Sequence, residues 1–180
     1  MKDGPFSVSG VLYDMSDASG FSDEDGRVPV GRAASAHLVR IVPNVEILRE
    51  QETGGHPTRV RMLGYEVVYN VKIIDYNESV MKLVLGGLSD GSAFRWGDEN
   101  HPWGEDAQPI PIAIIDDDEE RPSLYIPMAV HTGPITFSVG RPTLLNSELE
   151  IEVIGLFDRE LGCPAVWGSV ADMPEINNGQ

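Results

Sequence analysis

The stretch that decides the fold is AHLVRIVPNVEILREQETGGHPTRVRMLGYEVVYNVKII, residues 36–74. Its second half alternates, with an apolar or aromatic residue at every second position over 63–73. The sequence TGGHP at 53–57 supplies turn residues. One parity of the first half carries His37, Val39, Ile41, Val45 and Ile47. A period of two on both sides of a turn predicts a long antiparallel hairpin.

The length of this hairpin is unusual. Its second strand covers about 17 residues and would reach roughly 55 Å at the rise of an extended chain. Strands in globular proteins usually have about 3–10 residues. Such a hairpin must project from its domain or bend over it, and unpaired strand edges need a partner chain. The pattern therefore predicts assembly rather than catalysis.

The flanking sequence predicts one domain over residues 1–180. Its predicted parts are an N-terminal strand with an extended Ser/Gly/Asp-rich arm (1–35), the hairpin (36–74), a helix (75–87), a loop insertion (88–108) and the remaining strands (109–172). The helix is predicted because Tyr76, Val80 and Val84 recur at helical spacing before Gly86 and Gly87. Two prolines in 109–115 predict an edge strand there, if it is a strand.

Charge is spread unevenly over the chain. The net charge is −16, which argues against tight binding of nucleic acid. Residues 27–72 hold seven basic and four acidic residues, a net charge of +3, so the remainder carries −19. Opposite charge on two surfaces suits contact between copies. An acidic surface that only keeps the protein soluble explains the numbers equally well.

Catalytic and metal-binding motifs fail in their context. GLSDG at 87–91 matches the nucleophile elbow G-x-S-x-G, but it follows the predicted helix and precedes a loop. The acidic run 23–26 lacks the remaining ligands of a calcium loop, and 116–120 is typical of a solvated turn. The four histidines do not stand at ligand spacing. We therefore expect no enzyme, no cofactor and no metal.

The cysteine count and the lengths of the apolar runs indicate the cellular compartment. Cys163 is the single cysteine, so no internal disulfide can form. No apolar run is long enough for a membrane span, and the N-terminus lacks the apolar stretch of a signal peptide. We expect synthesis in a cytoplasm and no membrane partner.

Two sets of residues allow more than one interpretation. Trp96, Trp103 and Trp167 could stack on carbohydrate, although tryptophan more often anchors a core or a subunit contact. Glu148, Glu150 and Glu152 alternate with apolar residues and predict a strand with one carboxylate face. Such a row must face water, cations or a basic partner.

The order of these elements resembles the tail tube protein of long-tailed bacteriophages. The resemblance rests on LGYEVVYNVKIIDYNESVMKLVLGG at 63–87 and LEIEVIGLFDRE at 149–160, and it extends over residues 39–170. It implies a mainly β fold: an antiparallel β-sandwich or half-barrel with one short flanking α-helix and a long projecting hairpin. The family also implies that copies close into a ring barrel on oligomerisation, a principle shared with type VI secretion tubes.

The resemblance further implies a structural protein of the virion tail, assembled in the host cytoplasm. Six copies would form a ring, stacked rings would form a tube, and DNA would pass through without specific binding. Expected partners are further copies, the tape measure protein and the terminator. Alternatives are another ring-forming tail component, such as a terminator or distal tail protein, or a monomeric calcium-dependent carbohydrate-binding β-sandwich.

Two groups of site residues follow from this interpretation. The hairpin tip would contact the next ring through Arg49, Glu50, Glu52, Thr53, Gly54, Gly55, His56 and Arg59. The carboxylate row would line the lumen through Glu148, Glu150 and Glu152. A lumen lined by carboxylates would repel phosphate, so DNA would not adhere to it.

Overall fold

The computed structural model describes residues 6–8, 10–21, 26–49, 54–74, 80, 83, 109–116, 121–134 and 149–176. These residues form ten strands, so the predicted mainly β fold is confirmed. The strands are β1 Phe6–Val8, β2 Val11–Asp14, β3 Val28–Pro29, β4 Arg32–Ala33, β5 His37–Arg49, β6 Pro57–Ile74, β7 Ile110–Ile115, β8 Ser123–His131, β9 Leu149–Gly155 and β10 Val166–Gly168. A 3₁₀ turn, Val170–Asp172, follows β10.

All ten strands belong to one antiparallel sheet in the order β1-β5-β6-β9-β8-β7-β2-β3, with β10 beside β8 and β4 beside β6. β1 and β2 are consecutive in the chain but pair at opposite ends of this order. Only residues 9 and 10 join them, so the Cα atoms of Val8 and Val11 are no more than about 11 Å apart. The sheet must therefore curl until the outer edges of β5 and β7 almost meet at Gly10.

The concave face of the curled sheet holds the main core. Alternate residues of β6 and β9 point into it because strand side chains alternate between faces. Its members are buried and come from both halves of the sheet: Leu12, Val30, Val39, Val67, Tyr69, Val71, Ile73, Val80, Leu83, Ile112, Ile114, Leu124, Ile126, Ala129, Leu149, Ile151 and Val153. Hydrophobic burial across the curl is the main stabilising contribution.

A second apolar layer covers the opposite face of β7 and β8. Phe21 packs edge-on against Tyr125, with ring centroids 4.9 Å apart. Met15 and Ala18 are fully buried beside them. Five half-buried residues near the C-terminal end of the described chain pack on the same layer: Leu161, Val166, Val170, Met173 and Ile176. The composition of 14–31 predicts an arm or loop, and most of its described residues lie outside strands. Met15, Ala18 and Phe21 nevertheless anchor this segment, because apolar side chains separated by turns can all point to one surface.

The edge position predicted for 109–115 is wrong. β7 lies between β8 and β2 and is paired on both sides. The register against β8 shifts between Ile110 and Ile112, so Pro111 sits at a bulge. A bulge accepts a residue that lacks an N–H, and this is why a proline is tolerated in an interior strand.

Several predicted elements lie outside the described residues. They include most of the helix over 75–87, the whole loop over 88–108, and residues 117–120 and 135–148 of the segment predicted to hold the remaining strands. Val80 and Leu83 are described, are helical and are buried in the main core. In the described part of the chain, no helix is long and apolar enough to cross a membrane.

Candidate assembly interface

The hairpin of β5 and β6 extends well beyond the curled sheet. β1 pairs with β5 only at residues 37–39, and β9 pairs with β6 only at residues 67–73. β5 and β6 pair with each other out to Arg49 and Pro57. We call residues 40–66 the arm; 40–49 and 54–66 are described. Within those residues, no third strand flanks the arm on either edge.

One face of the arm is apolar. Cross-strand pairing places Ile41 opposite Val67, Pro43 opposite Tyr65, Val45 opposite Met62 and Ile47 opposite Val60. Directly paired residues share a face, and this one continues the face of Val39 and Tyr69, which are buried in the core. The apolar face comprises Ile41, Pro43, Val45, Ile47, Val60, Met62 and Tyr65. Exposed fractions of 50% for Met62 and 59% for Tyr65 show that nothing in the described chain covers it.

A bulge keeps this face apolar along its whole length. The register shifts between Asn44 and Val45, which leaves Leu63 as an extra residue on β6. The bulge moves the even-numbered Met62 to the face of the odd-numbered Tyr65. Gly64 has a φ of +150°, a region that other residues rarely adopt. The alternation predicted from Leu63 to Ile73 is therefore interrupted at Leu63.

The opposite face of the arm is mixed in polarity and in charge. It carries Arg40, Glu46, Arg59, Arg61 and Glu66, and also the apolar Val42 and Leu48, read from the same register. Arg61 Nη1 lies 3.7 Å from Glu46 Oε2 in an exposed ion pair. Exposed pairs of this kind contribute only about 0–1 kcal/mol. The charged side chains of this face are therefore suited to water.

The predicted inter-ring residues cluster at the tip of the arm where they are described. Gly54 and Gly55 form the turn, and His56 and Arg59 are exposed beside it. Arg49 Nη1 donates a hydrogen bond of 3.0 Å to Gly55 O, which fastens the turn. Glu50, Glu52 and Thr53 lie outside the described residues. Contact with another ring remains a prediction.

The carboxylate row lies on the convex face of the sheet. Glu150 and Glu152 alternate with Leu149, Ile151 and Val153, which are buried on the concave face. Glu150 is paired with Lys72. Glu152 is paired with Asn70, whose Nδ2 donates to Glu152 Oε2 at 3.4 Å. The chain thus supplies its own basic and amide neighbours for the two described carboxylates. Glu148 lies outside the described residues, and a lumenal position for the row remains a prediction.

A buried hydrogen-bonded histidine holds the base of the arm. His37 Nε2 lies 3.0 Å from Gly10 O, and His37 Nδ1 lies 2.7 Å from the hydroxyl of Tyr69. A carbonyl can only accept, so Nε2 carries the proton and Nδ1 accepts from Tyr69. Burial lowers the pKa of His37, while the hydrogen bond to Gly10 opposes that shift. The histidine is neutral and structural. It connects Gly10, where the outer edges of β5 and β7 almost meet, to β5 and β6.

The sequence offered no direct sign of this contact. The alternating pattern of β5 places His37 on the same face as Val39, which indicates a core position. Its hydrogen-bond partners Gly10 and Tyr69 lie 27 and 32 residues away in the sequence, so the pattern does not reveal them. His131 is a second histidine whose pKa is lowered by burial, against the opposing charge of Glu152. Among the residues that the structure describes, no group of three His, Cys, Asp or Glu could hold a metal ion.

Comparison with known proteins leaves the family open. No family model matches the chain, and no curated protein matches it. Among solved structures, the chain is similar to the cryo-EM structure of the anti-feeding prophage cap (AFP tube terminating cap), with 10% sequence identity, 91% of this chain and 92% of that chain covered, and a TM-score of 0.47. A likeness at this level assigns no function.

Proposed function

We propose that this chain is a structural subunit of the tail tube type, whose copies form stacked hexameric rings around a conduit for DNA in a phage tail. The observation that carries the proposal is the exposed apolar face of the arm. Soluble monomers rarely expose a contiguous apolar surface of this extent without using it for binding. Two open strand edges on the same arm give a second reason for a partner chain.

The arm is suited to joining copies. It begins inside the curled sheet at Val39 and Tyr69, so its base is fixed by core packing. The exposed arm then carries apolar side chains away from the body of its own subunit. A contact in which one surface meets a different surface of the next copy closes into a ring when the rotation allows. The proposal includes no catalytic step.

The assignments of the inter-ring and lumen-lining residues are part of this proposal. The tip, with Arg49 and Arg59, would contact the next ring, and Glu148, Glu150 and Glu152 would line the lumen. Reversing both arginines to glutamate should then leave rings but prevent long tubes. Normal tubes from that variant would remove the tip assignment and leave ring formation intact.

A matched pair of arm variants tests the central claim. Ile47→Asp places a charge on the apolar face, and Val42→Asp places the same charge on the opposite face of the same strand. Both positions are exposed, so neither variant should unfold the subunit. Light scattering after size exclusion should show rings or longer polymers for the wild type and for Val42→Asp. Ile47→Asp should give monomers with an unchanged circular dichroism spectrum.

The wild-type assembly state separates the alternatives. Tubes that lengthen with concentration in negative-stain images support a tube subunit. Rings that do not stack point to a terminal ring component of a tail. A wild-type monomer at every concentration refutes the assembly proposal and favours a monomeric binding domain.

A further inference from the structure

The convex face of the sheet is divided into a covered half and a charged half. The second apolar layer covers β7 and β8, where Phe21 packs on Tyr125. Apart from Arg59 at the tip, the half formed by β4, β5, β6 and β9 carries eight described charged residues: Arg32, Arg40, Glu46, Arg61, Glu66, Lys72, Glu150 and Glu152. Seven of them are exposed, and Glu152 is half-buried. We call these eight residues the charged face.

The strand register makes the charged face continuous from the body of the subunit onto the arm. Directly paired residues share a face, and so do residues two apart on one strand. From the body to the arm, the pairs on this side are Arg32–Ile74, Lys72–Glu150, Asn70–Glu152, Val68–Ile154, Arg40–Val68, Val42–Glu66 and Glu46–Arg61. The bulge does not interrupt the series, because its extra residue, Leu63, lies on β6 and the even-numbered residues of β5 stay on one side. Charged and apolar residues therefore form one surface.

Only the outer side of these strands can line a conduit. Their concave side is filled by the main core, in which Tyr69, Val71 and Ile151 are buried. Glu150 and Glu152 lie on the outer side, and the arm carries the same side onward. If these two carboxylates line the lumen, the basic residues of the charged face line it as well.

The charges of this face are balanced and interleaved. Four of its residues are basic and four are acidic, so their charges sum to zero in a chain with a net charge of −16. Arg61 lies 3.7 Å from Glu46, and Lys72 is opposite Glu150. Arg40 is diagonal to Glu66, a spacing of about 7–8 Å that long side chains can bridge. The sequence predicted a lining of carboxylates alone, whereas the register adds an equal number of basic residues to it.

Interleaving of this kind limits the grip of the surface on phosphate. The attraction of a cation for a phosphate and the repulsion by an adjacent carboxylate oppose each other. Surface charges are screened within about 8 Å at physiological ionic strength, a distance similar to the spacing of the pairs. A phosphate therefore meets almost no net field away from the wall and a weak, salt-dependent attraction at contact.

We propose that the charged face is the wall along which DNA passes, and that its carboxylates prevent its basic residues from holding phosphate. This inference rests on the proposed tube function and names the surface that meets the DNA. The partner is the sugar–phosphate backbone, so the contact does not depend on base sequence.

Neutralising the carboxylates tests the role assigned to them. A glutamine variant combines Glu46→Gln, Glu66→Gln, Glu150→Gln and Glu152→Gln. Once assembled, it should bind a short fluorescein-labelled single-stranded oligonucleotide in an anisotropy assay, whereas the assembled wild type should show no binding at the same concentration. If all four basic residues contact phosphate, the affinity should fall roughly fiftyfold between about 50 and 200 mM salt.

Two further variants control this result. Adding Arg40→Gln and Lys72→Gln to the glutamine variant should remove most of the new binding. A matched variant makes the same change in net charge outside the charged face, at exposed carboxylates, and should not bind: Asp17→Asn, Glu160→Gln, Asp172→Asn and Glu175→Gln. An assembled glutamine variant that does not bind the oligonucleotide overturns the inference, and so does equal binding by the matched variant.

Cysteine labelling locates the charged face in the assembly. Lys72→Cys is made with Cys163→Ser, so that one thiol is present in each chain. In the monomeric Ile47→Asp background, it should react both with a small maleimide and with a maleimide on a polymer wider than the lumen. In assembled tubes, only the small reagent should react.

The labelling outcomes separate this inference from the proposed function. Reaction of assembled tubes with both reagents places the charged face on the outer wall, and reaction with neither places it in a contact between subunits. Either result overturns the inference and leaves tube formation standing. A wild type that is monomeric at every concentration refutes both proposals.

Discussion

The hydrogen bond between Tyr69 and His37 gives a quantitative prediction for Tyr69→Phe. The two residues are 0% and 4% exposed, and their hydroxyl and Nδ1 atoms are 2.7 Å apart. Phenylalanine keeps the ring packing but leaves Nδ1 buried without its donor. An unsatisfied buried polar atom costs about 1–3 kcal/mol. For a chain of this length, each kcal/mol lowers Tm by about 2–4 °C, so a cost of about 2 kcal/mol, the middle of this range, lowers Tm by roughly 4–8 °C.

Urea unfolding followed by circular dichroism measures this cost. The variants are best compared in the Ile47→Asp background, where assembly should not add to stability. Tyr65→Phe is the matched control, because this tyrosine lies on the same strand, is 59% exposed and should change stability by less than about 0.5 kcal/mol. A double-mutant cycle with His37→Leu should give a coupling energy of about 1–2 kcal/mol.

Equal, small effects of Tyr69→Phe and Tyr65→Phe would refute the reasoning. So would additive losses from Tyr69→Phe and His37→Leu, since a shared hydrogen bond requires that the second change cost less than it does alone. The prediction concerns the subunit itself and holds in any assembly state. It therefore tests the hydrogen-bonded contact of Gly10, His37 and Tyr69 independently of the proposed function.

Three further predictions concern the fold. Gly10→Ala should cost several kcal/mol or prevent folding, because a Cβ there would lie 2.3 Å from a carbonyl oxygen of β7 and φ is +127°. Gly20→Ala is the control: a Cβ there would have nothing within 4 Å, so stability should change by about 1 kcal/mol or less. Thermal melts measure both changes. Burial lowers the pKa values of His37 and His131, so below pH 6.5 the unfolded chain binds protons that the folded chain does not. The free energy of unfolding should therefore fall with decreasing pH, by up to about 1.4 kcal/mol per pH unit for each histidine. A free energy of unfolding, measured in urea, that does not change between pH 7 and 5 would contradict this. Phe21→Ala should lower the free energy of unfolding in urea by about 3 kcal/mol if residues 14–21 are part of the core. A loss below about 0.5 kcal/mol would show that this segment does not contribute to the core.

The period-two pattern predicted the strands well because it reports which face is buried. His37 and Val39 on β5 and Val67, Tyr69, Val71 and Ile73 on β6 point to the core as their parity indicates. Parity carries no information on which strand lies beside which. The neighbours of β7 could not be predicted, since a proline excludes an interior strand only where it would break a ladder bond, and the bulge at Pro111 removes that conflict.

Composition and pattern also fail where one residue changes the geometry. Leu63 is apolar and fits the alternation, yet it is the extra residue of a bulge, and only Gly64 beside it hints at this. Residues 14–21 look like a loop because polar and small residues dominate, but Met15, Ala18 and Phe21 are buried. Their partners on β7 and β8 lie about a hundred residues away, so local sequence cannot reveal the contact.

The arm combines an ordered base with an unfinished surface. A two-stranded hairpin is only marginally stable alone in water. This one is continuous with β5 and β6 inside the curled sheet, and the buried contact between His37 and Tyr69 lies where the arm leaves that sheet. Its strands are therefore aligned before a partner binds, which reduces the ordering entropy that binding must overcome.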